Sequence, residues 1–81
     1  MRVRVFVTPR EGILDPQGRA VQAALANLGF AGVAEVHLGR YIELALDAPS
    51  KAAGEAIVRE MCEQLLANPT IEQYRFEVEL E

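Results

Sequence analysis

Residues 2–7 read RVRVFV, so Val3, Val5 and Val7 alternate with Arg2, Arg4 and Phe6. A period of two puts the valines on one side of an extended strand and both cations on the other. Such a strand belongs in a sheet with one buried and one open face, the usual condition of antiparallel sheets. The remaining chain must supply neighbouring strands and a layer that covers the valines.

Five further segments fit that demand. Thr8 to Leu14 read as a loop, and Asp15-Pro16 starts a helix. Asp caps the free N–H groups, and Pro suits the first helical position because its missing N–H would have no partner there. Val21, Ala24, Leu25 and Leu28 recur at helical spacing, and Gly29 stands where a C-terminal glycine stop belongs. Val33 to Asp47 reads as two strands. Val36 and Leu38 alternate with Glu35 and His37, then Ile42, Leu44 and Leu46 with Tyr41, Glu43 and Ala45. Gly39-Arg40 between them suits a two-residue hairpin turn. After Ala48-Pro49, Ser50 caps a second helix whose stripe is Ile57, Val58, Met61, Cys62 and Leu65, ending at Asn68-Pro69. A last strand sets Tyr74, Phe76, Val78 and Leu80 against Arg75, Glu77 and Glu79.

The order β-α-β-β-α-β is that of the split βαβ, or ferredoxin-like, α+β fold, an antiparallel sheet with two helices on one face. The 81 residues suffice for one domain, residues 1–81, with one core. A domain of this size buries only about 60% of its unfolded surface. The open face, with Phe6, Tyr41, His37 and Ala45 among charged residues, is where a partner would sit. A homodimer or homotetramer is therefore expected.

A net charge of −4, with Lys51 the sole lysine, excludes a nucleic-acid binder that works by neutralising phosphates. No apolar run approaches the roughly 20 residues of a membrane helix. MRVRVFV is too short and too strand-like for a signal peptide. A cytoplasmic protein is expected.

Cys62 and His37 are the only thiol and the only imidazole. A nucleophile pair needs them exposed and convergent, but Cys62 falls within an apolar helical stripe beside Val58 and Leu65, where a thiol is a small hydrophobe with a raised pKa. Glu77, Glu79 and Glu81 line one side of the last strand, as carboxylates do on a solvated face that discourages edge pairing. The chain is expected to hold no metal, cofactor or catalytic residue. Gly12 and Gly18 fit neither a phosphate-binding loop nor a dinucleotide fingerprint. Gly39-Arg40-Tyr41 echoes an RNA-binding strand motif without its aromatic series.

Taken together, the runs REGILDPQGRAVQAAL, GRYIELAL and MCEQLLANPTIEQYRFEVE resemble the PurS family, the small subunit of bacterial formylglycinamidine ribonucleotide synthase. The resemblance runs in order along nearly the whole chain. It implies a non-catalytic subunit of a purine-biosynthetic complex, phosphoribosylformylglycinamidine synthase. In that complex a glutaminase subunit frees ammonia, and a synthetase subunit uses it with ATP and Mg²⁺. The small subunit bridges the two and assists ammonia transfer. Capping explains Asp15 and Pro16, but leaves Arg10, Glu11, Gly12, Gln17, Gly18, Arg40 and Tyr41 without a local task. These seven are the candidate subunit interface, with close approach of another backbone expected at Gly18. The alternative is an ACT-type regulatory module, which shares the element order and binds small molecules at dimer interfaces.

Overall fold

The computed structural model describes residues 1–80; Glu81, the third carboxylate of the last strand, lies outside them. β1 (Arg2–Pro9) is the middle strand of a three-stranded antiparallel sheet, between β2 (Arg40–Ala45) and β3 (Glu72–Glu79). Its central position gives Val3 and Val5 apolar neighbours on both sides. Val3 pairs with Leu44 and Val78, Val5 with Ile42 and Phe76, and Val7 with Arg40 and Tyr74. The three valines are wholly or almost wholly buried. Each such side chain contributes about 1.5–3 kcal/mol by leaving water.

Two helices, α1 (Pro16–Asn27) and α2 (Lys51–Met61), complete the α+β architecture. Both begin at the expected caps. The Asp15 carboxylate accepts the Gly18 N–H at 2.9 Å, and Ser50 Oγ accepts the Ala53 N–H at 3.1 Å. α2 covers the valines with Val58 and leads into Cys62, both fully buried.

Three expectations need correcting. First, Gly39-Arg40 is not a hairpin turn. Residues 33–39 form no ladder: Val36 and Leu38 alternate, but no strand among the described residues pairs with them. Instead the Leu38 N–H bonds to Asp15 Oδ2 at 2.9 Å, and Gln22 Nε2 donates to the Ala34 carbonyl at 2.9 Å. His37 therefore lies beside α1 and not on the open sheet face.

Second, only α2 fills the helical layer. No core side chain comes from α1, whose one buried residue is Gly18. The molecule is correspondingly long, 51 × 27 × 14 Å, with a radius of gyration of 16.1 Å. A compact chain of this length would have about 12 Å.

Third, the second helix changes pitch. Cys62–Leu66 is a π-helical turn closed by Ala67 N–H to Cys62 O at 3.0 Å. The wider turn rotates the face, so Leu65 is 82% exposed while Leu66 and Ala67 pack on the core.

Candidate functional site

The seven candidate residues fall into three places. Arg10 and Arg40 converge on the turn between the π-helical segment and β3. Arg40 opens β2 at a position whose register places its side chain on the covered face, in line with Ile42 and Leu44. From there the guanidinium reaches across β1 to Glu72. Nη1 and Nη2 each lie 3.1 Å from one carboxylate oxygen, and Nη2 also donates to the Leu66 carbonyl at 2.7 Å. Bidentate geometry of this kind is the strong form of an ion pair. It also satisfies a carbonyl that the helix end leaves free.

Glu72 Oε1 accepts the Asn68 N–H as well, at 2.7 Å, and the Asn68 carbonyl accepts the Glu72 N–H at 2.7 Å. Above all the Asn68 N–H, and then the Arg40 guanidinium, hold the Glu72 carboxyl below its usual range against partial burial. Arg10 grips the same turn from the β1 side: Nε donates to the Pro69 carbonyl at 2.7 Å and the backbone N–H to Ile71 O at 2.9 Å. Both arginines thus have local tasks that their sequence context does not reveal. Sequence reasoning does not single out Glu72, the acidic partner of Arg40. Its signal was its register, since it continues the alternation of Tyr74, Phe76 and Val78 on the covered face, where a carboxylate requires a partner.

Gly12, Gln17 and Gly18 belong to the entry of α1. Gly12 has φ +82°, a left-handed conformation that favours glycine. Glu11 and Gln17 are exposed. Gly18 is buried. A Cβ there would meet the Val36 carbonyl oxygen and stand 2.6 Å from Asp15 Oδ2. The close approach expected at Gly18 is therefore made by this chain's own backbone.

Asp15 is the hinge of this region, capping α1 with one oxygen and holding Leu38 with the other. Those bonds, that to Gly18 first, keep its carboxyl below the ordinary aspartate range. His37 Nδ1 is 3.9 Å from Asp15 Oδ2 and His37 Nε2 is 3.7 Å from Glu35 Oε2.

Tyr41 lies on the open sheet face, 53% exposed, its ring 5.2 Å from that of Phe6, its cross-strand neighbour. Around it run the ion pairs Arg2–Glu43, Arg4–Glu79 and Arg75–Glu77, at 3.4, 2.9 and 3.1 Å. Arg75 also lies over the Phe6 ring at 3.9 Å.

The thiol reading resolves as expected from its helical stripe. Cys62 is fully buried, and burial pushes its pKa up. Among the described residues no group of three or more His, Cys, Asp or Glu is placed to hold a metal ion. Nor is any helix among them long and apolar enough to cross a membrane.

The pattern of residues is that of a known family. A family model described as "PurS: Phosphoribosylformylglycinamidine (FGAM) synthase" matches residues 2–80. The chain belongs to the PurS family. The phosphoribosylformylglycinamidine synthase subunit PurS of Synechocystis is 51% identical over 93% of this chain and 75% of its own length. The solved structure of Bacillus subtilis PurS superposes with a TM-score of 0.88 at 47% identity, covering 98% of both chains. A chain of the Thermotoga maritima PurLQS structure gives 0.86 at 30% identity, covering 94% of this chain and 93% of that one. PurS, rather than an ACT-type module, is the family this chain matches.

Proposed function

We infer that this subunit of phosphoribosylformylglycinamidine synthase, an enzyme of purine biosynthesis, acts as its non-catalytic adaptor. It joins a glutaminase subunit to a synthetase subunit in the cytoplasm and assists the passage of ammonia between them. ATP and Mg²⁺ serve the synthetase, while this chain supplies surface.

One observation carries the reading: the side chains best suited to chemistry are committed to holding the fold. Cys62 is in the core, Arg40 and Glu72 bond to each other, Arg10 bonds to Pro69, and Asp15 bonds to Gly18 and Leu38. What remains outward is contact surface, including Glu11, Gln17 and Tyr41.

The surface area supports association with further copies of itself. The chain exposes 5774 Å², whereas a compact monomer of its mass exposes about 4800 Å². Leu28 at the end of α1 is 74% exposed, and Leu14 and Phe30 are also open. Self-association is the economical cover for such a surface.

The test is retention of both partner subunits on an affinity-tagged copy of this chain, in the presence of glutamine and ATP. Co-retention of both in fixed ratio is the expected result. Retention of neither subunit overturns the adaptor reading.

A further inference from the structure

α1 gives no side chain to the core, and residues 33–39 pair with no strand among the described residues. Polar ties help to keep the two together. Asp15 Oδ2 accepts the Leu38 N–H and the Ala34 carbonyl accepts from Gln22 Nε2, both at 2.9 Å. Both bonds are exposed, and a segment held in this way opens at low cost while the core stays folded.

His37 stands at the Asp15 tie with a carboxylate on either side. Its Nδ1 is 3.9 Å from Asp15 Oδ2, the oxygen that holds Leu38, and its Nε2 is 3.7 Å from Glu35 Oε2. An imidazolium carries an N–H on each nitrogen and attracts both carboxylates. The neutral ring has one N–H and no charge.

We propose that His37 is a pH-dependent latch: its charged form fastens residues 33–39 to the start of α1, and its neutral form lets that hold go. The anchored side is Asp15, whose side chain is only 11% exposed and is fixed by the Gly18 and Leu38 N–H groups. Those bonds, with the charge of His37 a smaller cause, hold the Asp15 carboxyl below its ordinary range. It therefore stays ionised wherever an imidazole changes charge.

Other charged groups face the ring from the neighbouring elements. Arg19 of α1 lines the cleft on one side of His37, Arg10 and Glu11 of the loop after β1 line the cleft on the other, and Glu35 borders both. Guanidinium and carboxylate groups keep their charge between pH 5 and 8, so they set a constant background. Of these side chains only the imidazole switches in that interval.

Closing the segment favours the charged ring. The hold is thus greatest where the ring is charged and is lost as pH rises through the range of histidines, about pH 5 to 8. The direction is opposite to that of Glu72 and Asp15, whose contributions are lost toward acid. His37 and Glu35 are more than half exposed, so the hold is worth about two- to fivefold in the closing equilibrium. Residues 33–39 supply nothing to the core, so the thermal midpoint, which reports the core, does not register the latch.

The experiment reads hydrogen exchange at the Leu38 amide of the full chain by nuclear magnetic resonance, each rate divided by the intrinsic rate at the same pH. Two variants accompany the unaltered chain: His37→Gln, neutral throughout, and His37→Arg, charged throughout. Circular dichroism confirms the fold of each. In the unaltered chain, protection at Leu38 should fall about two- to fivefold between about pH 5.5 and pH 8. The Val5 amide, in the middle of β1, should show no such change. His37→Gln should be flat at the lower level, and His37→Arg should exceed it at pH 8. A flat profile in the unaltered chain would overturn the proposal, as would an equal fall in His37→Gln. Protection in His37→Arg no greater than in His37→Gln would show that charge at this position does not close the segment, and a parallel fall at Val5 would make the change global, each of which also overturns it.

Discussion

Arg40 and Glu72 lie on opposite outer strands and meet across β1 through two hydrogen bonds of 3.1 Å. Their contact ties the start of β2 to the start of β3 and, through Leu66 and Asn68, to the end of the helical segment. It joins the two outer strands and the helical segment at one end of the sheet. Arg40→Ala should therefore lower the free energy of unfolding by about 1–2 kcal/mol, the range for a charge-assisted contact discounted for partial exposure. Urea denaturation should show a lower midpoint at unchanged slope. An unaltered midpoint would mean that the pair contributes nothing.

The same carboxylate gives a pH signature. Glu72 and Asp15 are both held below their ordinary values of 4.5 and 3.8 by N–H donors. The folded chain consequently binds these protons less readily than the unfolded chain. Their contribution is fully present above the ordinary values and is lost as pH falls through the depressed ones. The thermal midpoint should be flat down to about pH 5 and then fall. Glu72→Gln should flatten part of that fall, leaving the share due to Asp15. An equally steep fall in the variant would remove Glu72 from the account.

At Gly18 two effects oppose each other. Alanine favours a helix over glycine by about 1 kcal/mol. The added Cβ, however, meets the Val36 carbonyl and the Asp15 carboxyl, and a backbone oxygen has little freedom to retreat. Crowding of this kind costs about 1–3 kcal/mol, so Gly18→Ala should be net destabilising. Hydrogen exchange should quicken at the Leu38 amide, which Asp15 holds. A stabilised variant with unchanged exchange would contradict the packing described.

The elements that sequence reasoning recovers are those governed by local rules. The valine alternation of β1 and the caps at Asp15 and Ser50 need no information from elsewhere in the chain. The remainder depends on partners distant in sequence. Val36 and Leu38 alternate like a strand, yet no strand among the described residues pairs with them, and Asp15 takes the Leu38 N–H. Leu65 fits a 3.6-residue stripe, but the π-helical turn carries it out of the core and brings Ala67 in. The local tasks of Arg10, Gly18 and Arg40 are not legible in the sequence, because Pro69, Val36 and Glu72 lie 18 or more residues away. Among the seven candidates, Glu11 and Gln17 are exposed, and Tyr41 is exposed on the open sheet face beside the ring of Phe6.

Cys62 separates a core role from a chemical one. It is fully buried, and its pKa is raised by that burial. Cys62→Ala should cost roughly 1 kcal/mol in stability and leave the turnover of the assembled synthase with glutamine unchanged. Loss of that turnover in a folded, assembled variant would assign the thiol a part in the reaction.

The adaptor role is tested most directly by turnover of the reconstituted synthase with two nitrogen sources, with this chain present and then omitted. With the chain present, glutamine and added ammonia should both support amidation. Without it, glutamine-dependent amidation should collapse while the synthetase subunit continues to use added ammonia. Loss of ammonia-dependent turnover on omission would place this chain in the chemistry itself, and undiminished glutamine-dependent turnover would show that the partners need no adaptor.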